Sequence, residues 1–142
     1  MSVFTTPMDV RFMDIDAMGH VNHATVISYF AEGRNKFMAD HFSQFTPAGF
    51  PFIMAYVACH YLRPINLEDR LLLAIWVKEI GRKSFKLGYK LMNANDHAIG
   101  YAHGESVQVC YDYGQNASVE LSSDLQRALK KYYKDNENGY AV

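Results

Sequence analysis

Residues 14–20 read DIDAMGH, two carboxylates two positions apart followed by a glycine and an imidazole, with Asn22 and His23 just beyond. A carboxylate can attack an acyl carbon or take a proton from water, and an imidazole is the usual proton carrier near neutral pH. Glycine lets the backbone approach a substrate closely because it has no Cβ. The same residues also suit a plain turn, since Asp bonds nearby amides and Gly reaches positive φ without penalty. On residue chemistry alone both readings stand.

The loop must be held by its neighbours in sequence. Residues 8–14 carry the apolar patterning of a first strand. Downstream, Val26, Ile27, Phe30, Phe37 and Met38 recur in steps of three and four, which predicts a helix from Asn22 to about His41 with Asn22 as N-cap. Some 20 helical residues span about 30 Å, so this is expected to be the central element. Its N-terminus brings unpaired N–H groups and the positive end of the helix dipole to the loop.

Beyond the breaker segment FTPAGFP, strand-like stretches occupy roughly 52–62, 70–80, 83–93 and 97–112. The third is the clearest: Phe85, Leu87, Tyr89 and Leu91 alternate with Lys86, Gly88, Lys90 and Met92, an apolar face against a largely wet one. PINLED and NANDH have the composition of tight turns, and YDYGQNAS interrupts the final strand run. A short helix at about 122–135 precedes a polar tail. This order predicts an α+β domain, a mostly antiparallel sheet packed on one helix. With no repeat, linker or low-complexity run, residues 1–142 are expected to form a single domain with its core at about 8–133.

Nearly half of the 142 residues are hydrophobic, with ten Tyr and nine Phe, which excludes a disordered chain. The net charge of −1 provides no global field for nucleic acid or anionic membrane. No stretch of about 18 apolar residues is free of charge, and the N-terminus shows no basic leader, so no membrane insertion and a cytoplasmic location are expected. Cys59 and Cys110 lack metal-ligand spacing and are expected to be free thiols. The six histidines, His60 and His103 among them, likewise suggest no metal site.

DIDAMGHVNHATVISYFAEGR resembles the strand-to-helix segment of the 4-hydroxybenzoyl-CoA thioesterase-like branch of the hotdog-fold acyl-CoA thioesterases, through Asp14, Asp16, Gly19, His20, Asn22, Glu32 and Arg34. HYLRPINLEDRLLLAIWV is similar to a second family segment through Tyr61, Pro64, Asp69 and Leu71, and EIGRKSFKLGY to a third through Gly81 and Ser84. The features follow in the family's order over about residues 8–133. His23, Val26 and Gly33 depart from the family's usual Asn, aromatic and Ala, changes that bear on the acyl pocket. The stretch before the terminal helix, VELSSDL, lacks the proline often found there.

The resemblance implies a hotdog fold, an antiparallel sheet wrapped around one long central helix, with a short C-terminal helix. It implies hydrolysis of an acyl-CoA thioester to free acid and CoA, with no cofactor beyond the CoA of the substrate. Asp16 takes the place of the catalytic carboxylate, as nucleophile or general base, and the backbone amide of about His23 that of the group polarising the carbonyl. Gly19 would admit the thioester, the His20 imidazole would support the loop, and Asp14 would be structural, accepting backbone or Arg11 hydrogen bonds. Asn22, Val26 and Tyr61 fall beside the acyl site, while Glu32 and Arg34 suit surface or interface pairs.

The window KEIGRKSFKLGYK holds five of the 14 basic residues. Arg82, Lys83 and Ser84 fall at a turn where adjacent donors could hold the phosphates of CoA. The resemblance implies self-association as a homodimer or homotetramer, with the site between subunits. A non-catalytic hotdog module binding acyl-CoA or an acyl carrier is the alternative from another class.

Overall fold

The computed structural model describes residues 3–41 and 52–134. FTPAGFP, the polar tail and the last residue of the expected terminal helix lie outside them. The elements are β1 (Phe4–Met8), a 3-10 turn (Phe12–Asp14), α1 (His23–His41), β2 (Phe52–Tyr61), β3 (Leu71–Ile80), β4 (Ser84–Asn93), β5 (Gly100–Asp112), β6 (Ala117–Ser118) and α2 (Ser123–Lys130). All strand pairings are antiparallel, in the order β1-β3-β4-β5-β2 with β6 folded back on β5. The α+β hotdog arrangement expected from the sequence is thus what forms.

The helix lies on the sheet because one stripe of it has nothing polar to offer. Val26, Phe30, Gly33 and Phe37, spaced by four, three and four residues, are buried. Phe30 stacks on Tyr89 of β4 with ring centroids 4.7 Å apart. At Gly33 a Cβ would meet Leu73 Cδ2, so the helix lies close on β3 there and a larger residue would require Leu73 to shift. The alternating residues Phe85, Leu87, Tyr89 and Leu91 of β4 face the helix as the period-two pattern requires.

Three expectations need correction. The first strand is not at 8–14: it ends at Met8, and residues 12–14 form a 3-10 turn because the Asp14 carboxylate accepts the Arg11 main-chain N–H and curls the chain back. The far face of β4 is not simply wet, since Trp76 covers Gly88 and joins Ala74 and Met92 in a small second apolar cluster. The terminal helix stops at Lys130. The chain then runs beside β3, with Val77 N–H bonded to Tyr132 O and Lys134 N–H to Val77 O. Ser122 caps this helix by accepting Leu125 N–H.

The edge strand β2 keeps Ile53, Met54, Tyr56, Val57 and Tyr61 exposed. Cys59 and Cys110 are free thiols. Among the described residues no helix is long and apolar enough to cross a membrane.

Candidate active site

The loop between the 3-10 turn and α1 is built outward from a buried carboxylate. Asp14, 5% exposed, accepts hydrogen bonds from Arg11 N–H at 3.0 Å, Arg11 Nε at 3.4 Å and Tyr29 OH at 2.6 Å. Burial by itself raises the pKa of Asp14, but the bonds from Tyr29 and Arg11 and the guanidinium charge outweigh it and hold the group below its ordinary value. Tyr29 is correspondingly pushed up, by burial first and then by its bond to Asp14. The expected structural role of Asp14 and its Arg11 partner are both present.

From this anchor the chain makes a closed loop. Ile15 pairs with Val21, Asp16 N–H donates to His20 O at 2.9 Å, and Gly19 N–H donates to Asp16 O at 3.0 Å. Gly19 sits at φ +83°, a conformation that L side chains rarely adopt. The Asp16 carboxylate accepts Met18 N–H through Oδ1, and its Oδ2 has no hydrogen bond among the described residues. His20 supports the loop through its carbonyl, and its imidazole, expected in that role, makes no hydrogen bond among the described residues.

Asn22 settles how the helix begins. Its N–H is held by Asp14 O, its side chain accepts Ala24 N–H at 2.9 Å, and its carbonyl accepts Thr25 and Val26 N–H. Of the first four N–H groups of α1, only that of His23 makes no hydrogen bond among the described residues. Tyr61, at the end of β2, donates its hydroxyl to His23 O at 2.9 Å. Burial first, then Cys59, pushes the Tyr61 pKa up to about 12, so this donor keeps its proton.

A cavity of about 360 Å³ lies against these groups, lined by Asp16, His20, His23, Val26, Tyr61 and Arg63 among others. Five of the candidate site residues expected from the sequence, Asp16, His20, His23, Val26 and Tyr61, therefore converge. Gly19 shapes the loop without lining the cavity, and Asn22 is occupied as the cap. Arg82, Lys83 and Ser84 do not reach the cavity. Ser84 pairs with Val109, which in turn faces Ile53 at the start of β2, whereas Tyr61 is at its end. Arg82, Lys83 and Ser84 thus lie at the opposite end of the sheet, while Lys90 of the same window, paired with His103 beside His60, lies near the Tyr61 end.

Much of that window's charge is already compensated. Lys86 pairs with Glu79 and Glu105, Lys78 with Glu105, and Arg82 with Glu120. Arg63, by contrast, has no place among the site residues expected from the sequence. Its Nε donates to Gly100 O at 3.1 Å, a partner far along the chain that no local spacing announces. Among the described residues no three His, Cys, Asp or Glu side chains converge as metal ligands.

Comparison with known proteins adds to this geometry. The thioesterase-like superfamily matches residues 10–129. A 1,4-dihydroxy-2-naphthoyl-CoA hydrolase of Nostoc punctiforme is 26% identical over 94% of this chain and 91% of its own. The acyl-CoA thioester hydrolase YbgC of Escherichia coli is 25% identical over 78% of this chain and 84% of its own. Among solved structures, a predicted thioesterase from Bacillus stearothermophilus superposes with TM-score 0.86 at 18% identity, covering 95% of this chain and 99% of that one. A thioesterase from Thermus thermophilus complexed with coenzyme A and Zn gives 0.78 at 26% identity, covering 90% and 92%.

Proposed function

Because this chain belongs to the thioesterase-like superfamily, we propose that it hydrolyses an acyl-CoA thioester to the free acid and CoA. The names of its relatives and the CoA-bound structural neighbour support that reaction class. The observation that carries the assignment to residues is the pairing, against one cavity, of the half-free Asp16 carboxylate with the one unbonded N–H of the first helical turn, at His23.

A thioester carbonyl oxygen accepting from His23 N–H would gather its developing charge at the positive end of α1. Asp16 then acts on the carbonyl carbon in one of two ways. It attacks directly, expelling the CoA thiolate and leaving an anhydride that water opens, or it takes a proton from the water that attacks. Val26 and Tyr61 bound the acyl side. The Tyr61 bond to His23 O fixes the helix end, so the polarising N–H needs no reorganisation during the reaction.

The exposed edge of β2 supports self-association as a homodimer, or as a tetramer of two such dimers, because unpaired apolar edges are otherwise aggregation-prone. Antiparallel pairing of two β2 strands sets the Tyr61 end of one copy beside the Phe52 end of the other. Arg82, Lys83 and Ser84 of the second copy would then stand about three strand spacings, roughly 15 Å, from the first copy's cavity edge. In that arrangement they hold the CoA phosphates from across the interface.

The test is release of free CoA from a panel running from acetyl- to palmitoyl-CoA with benzoyl-type members. Turnover of at least one member is expected. Binding of the panel without turnover would favour a non-catalytic binding module. Replacing Arg82 and Lys83 by Ala should raise KM for the CoA ester with little change in kcat, and leave a truncated thioester without phosphates unaffected. Equal losses on both substrates would remove the phosphate role.

A further inference from the structure

Arg34 differs from the other arginines. Arg11, Arg63, Arg70, Arg82 and Arg127 are exposed, and three of them meet a carboxylate, at Asp14, Glu120 and Asp124 respectively for Arg11, Arg82 and Arg127. Arg34, on α1, is half-buried and meets no carboxylate among the described residues. Its one hydrogen bond there, from Nη1 at 3.1 Å, goes to the neutral hydroxyl of Tyr89, which stands 2.6 Å from Ser106 Oγ. The guanidinium is thus anchored at one corner with the rest of its N–H groups unused. A cation taken partly out of water without an anion is destabilising, and a charged partner would offset that.

Arg34 lines a cavity of about 220 Å³ between α1 and the start of β2, with Met38, Phe52 and Met54 as its apolar walls and no acidic residue among those lining it. Within its own chain it is remote from the reaction, since it comes eleven positions after His23 on α1, about 16 Å further along the axis. Across an antiparallel pairing of two β2 strands the relation is reversed. Phe52 and Met54 face the helix side at the start of β2 and Tyr61 faces it at the end, so the Arg34 cavity of one copy abuts the Asp16 cavity of the other.

An acyl group held at Asp16 and running past Val26 and Tyr61 would then end against the second copy's Arg34. The walls narrow what that end can be. A plain alkyl end would cover the guanidinium and give it no acceptor, and a hydroxyl would give it one neutral bond. A carboxylate takes two parallel charge-assisted bonds from the fork and neutralises it. The methylenes or ring before the carboxylate would lie against Met38, Phe52 and Met54. Roughly 150 Å³ holds a benzene ring, so the space is sufficient.

We propose that the acyl group of the substrate ends in a carboxylate, making the substrate a CoA monothioester of a dicarboxylic acid, and that Arg34 of the second copy receives that carboxylate. This rests on the hydrolysis assigned to Asp16 and on the β2 dimer, and adds to them the residue that selects the acyl group.

The test compares matched esters on the intact protein: adipoyl- against hexanoyl-CoA, suberoyl- against octanoyl-CoA, and 4-carboxybenzoyl- against benzoyl-CoA. In at least one pair the carboxylated ester should have a kcat/KM about tenfold higher or more, the worth of a charge-assisted hydrogen bond. Arg34→Met should bring that pair level. If Arg34→Met does not fold, Arg34→Lys, which keeps the charge and loses the fork, should still lose most of the preference. Asp16→Asn and Arg34→Met proteins, mixed and allowed to exchange subunits, regain one site with both residues in each heterodimer, so the mixture should turn over the carboxylated ester faster than the same amount of either protein alone. Should no ester be turned over, the reaction assigned to Asp16 falls, and dissociation constants for the same pairs, measured by titration calorimetry on the parent, decide the acyl preference separately. Equal values within every pair, a preference that survives Arg34→Met, or a mixture no faster than its parts would overturn the proposal. So would an equal loss on both esters with weaker binding of free CoA, which would put Arg34 at the phosphates instead.

Discussion

Asp14 and Asp16 have one residue between them and opposite surroundings. Asp14 closes a 3-10 turn against the core, with Tyr29 and Arg11 donating to it from two sides. Asp16 begins the loop that the turn supports, spends one oxygen on Met18 N–H and keeps the other free beside a cavity. The first carboxylate has used its hydrogen-bonding capacity to fix the backbone, so it has nothing left for a substrate. The second can remain incomplete because the first is not. On the proposed reading, two identical side chains divide the labour of holding a site and working in it, and packing makes the division.

The largest effect that could break this contrast is on turnover. Asp16→Asn should lower kcat by about a hundredfold or more, the scale of losing a positioned base or nucleophile, with the melting temperature nearly unchanged. Steady-state kinetics on any turned-over acyl-CoA, beside thermal unfolding, gives both numbers. Wild-type rates in this variant, with turnover abolished in Asp14→Asn instead, would reverse the two roles.

How far this was legible in the sequence follows from the same pair. The spacing D-x-D-x-x-G-H identified the loop, and the 3-4 spacing from Val26 to Met38 identified the helix, because both are local signals. The direction of Asp14 into the core was not local: it depends on Tyr29, fifteen positions later, whose place in the helix stripe brings its hydroxyl to the carboxylate. The strand expected at 8–14 ends at Met8 for a separate, local reason: alternation reads side-chain polarity but not the turn that Asp14 closes on Arg11 N–H. The place of Arg63 at the cavity was not legible, because the chain course that brings it to Gly100, which sequence spacing does not display, creates it. The remoteness of Arg82 and Lys83 from Asp16 is likewise a fact of sheet register.

A second prediction weighs the structural half of the pair. Tyr29→Phe removes the 2.6 Å bond to Asp14 and should cost about 2 kcal/mol, the range for a hydrogen bond to a buried charged group, measured by denaturant unfolding. The pH dependence follows in sign. Asp14 has a lower pKa folded than unfolded, so its contribution is present above the ordinary Asp value of about 4 and is lost as pH falls through the folded value. Tyr29 is raised, so its share is present below about 10 and is lost as pH climbs past the ordinary tyrosine range. Asp14→Asn should therefore flatten the acid limb of the stability curve. An acid limb identical in parent and variant would mean that other carboxylates set it.

The smallest expected effect sharpens the contrast most, because it touches the working half without touching either carboxylate. Gly19 is at φ +83° with no atom within 4 Å of where a Cβ would stand, so a substitution there meets backbone strain and no collision. Gly19→Ala should cost about 1 kcal/mol, the usual penalty for forcing an L residue into the left-handed region. Gly19→Asn should cost less, since Asn tolerates that region better than most residues. The strain falls on the bond from Gly19 N–H to Asp16 O and on the turn that aims the Asp16 carboxylate, not on the Asp14 cluster. Turnover should therefore drop several-fold in the Ala variant and recover partly in the Asn variant, while the acid limb assigned to Asp14 stays in place in both. If Gly19→Ala shifted the acid limb as well, the two carboxylates would be one cooperative unit, and the separation of holding from working would be lost. If it altered stability and left kcat untouched, the loop's exact course would not matter to Asp16, and the catalytic geometry would have to rest on α1 and Tyr61 alone.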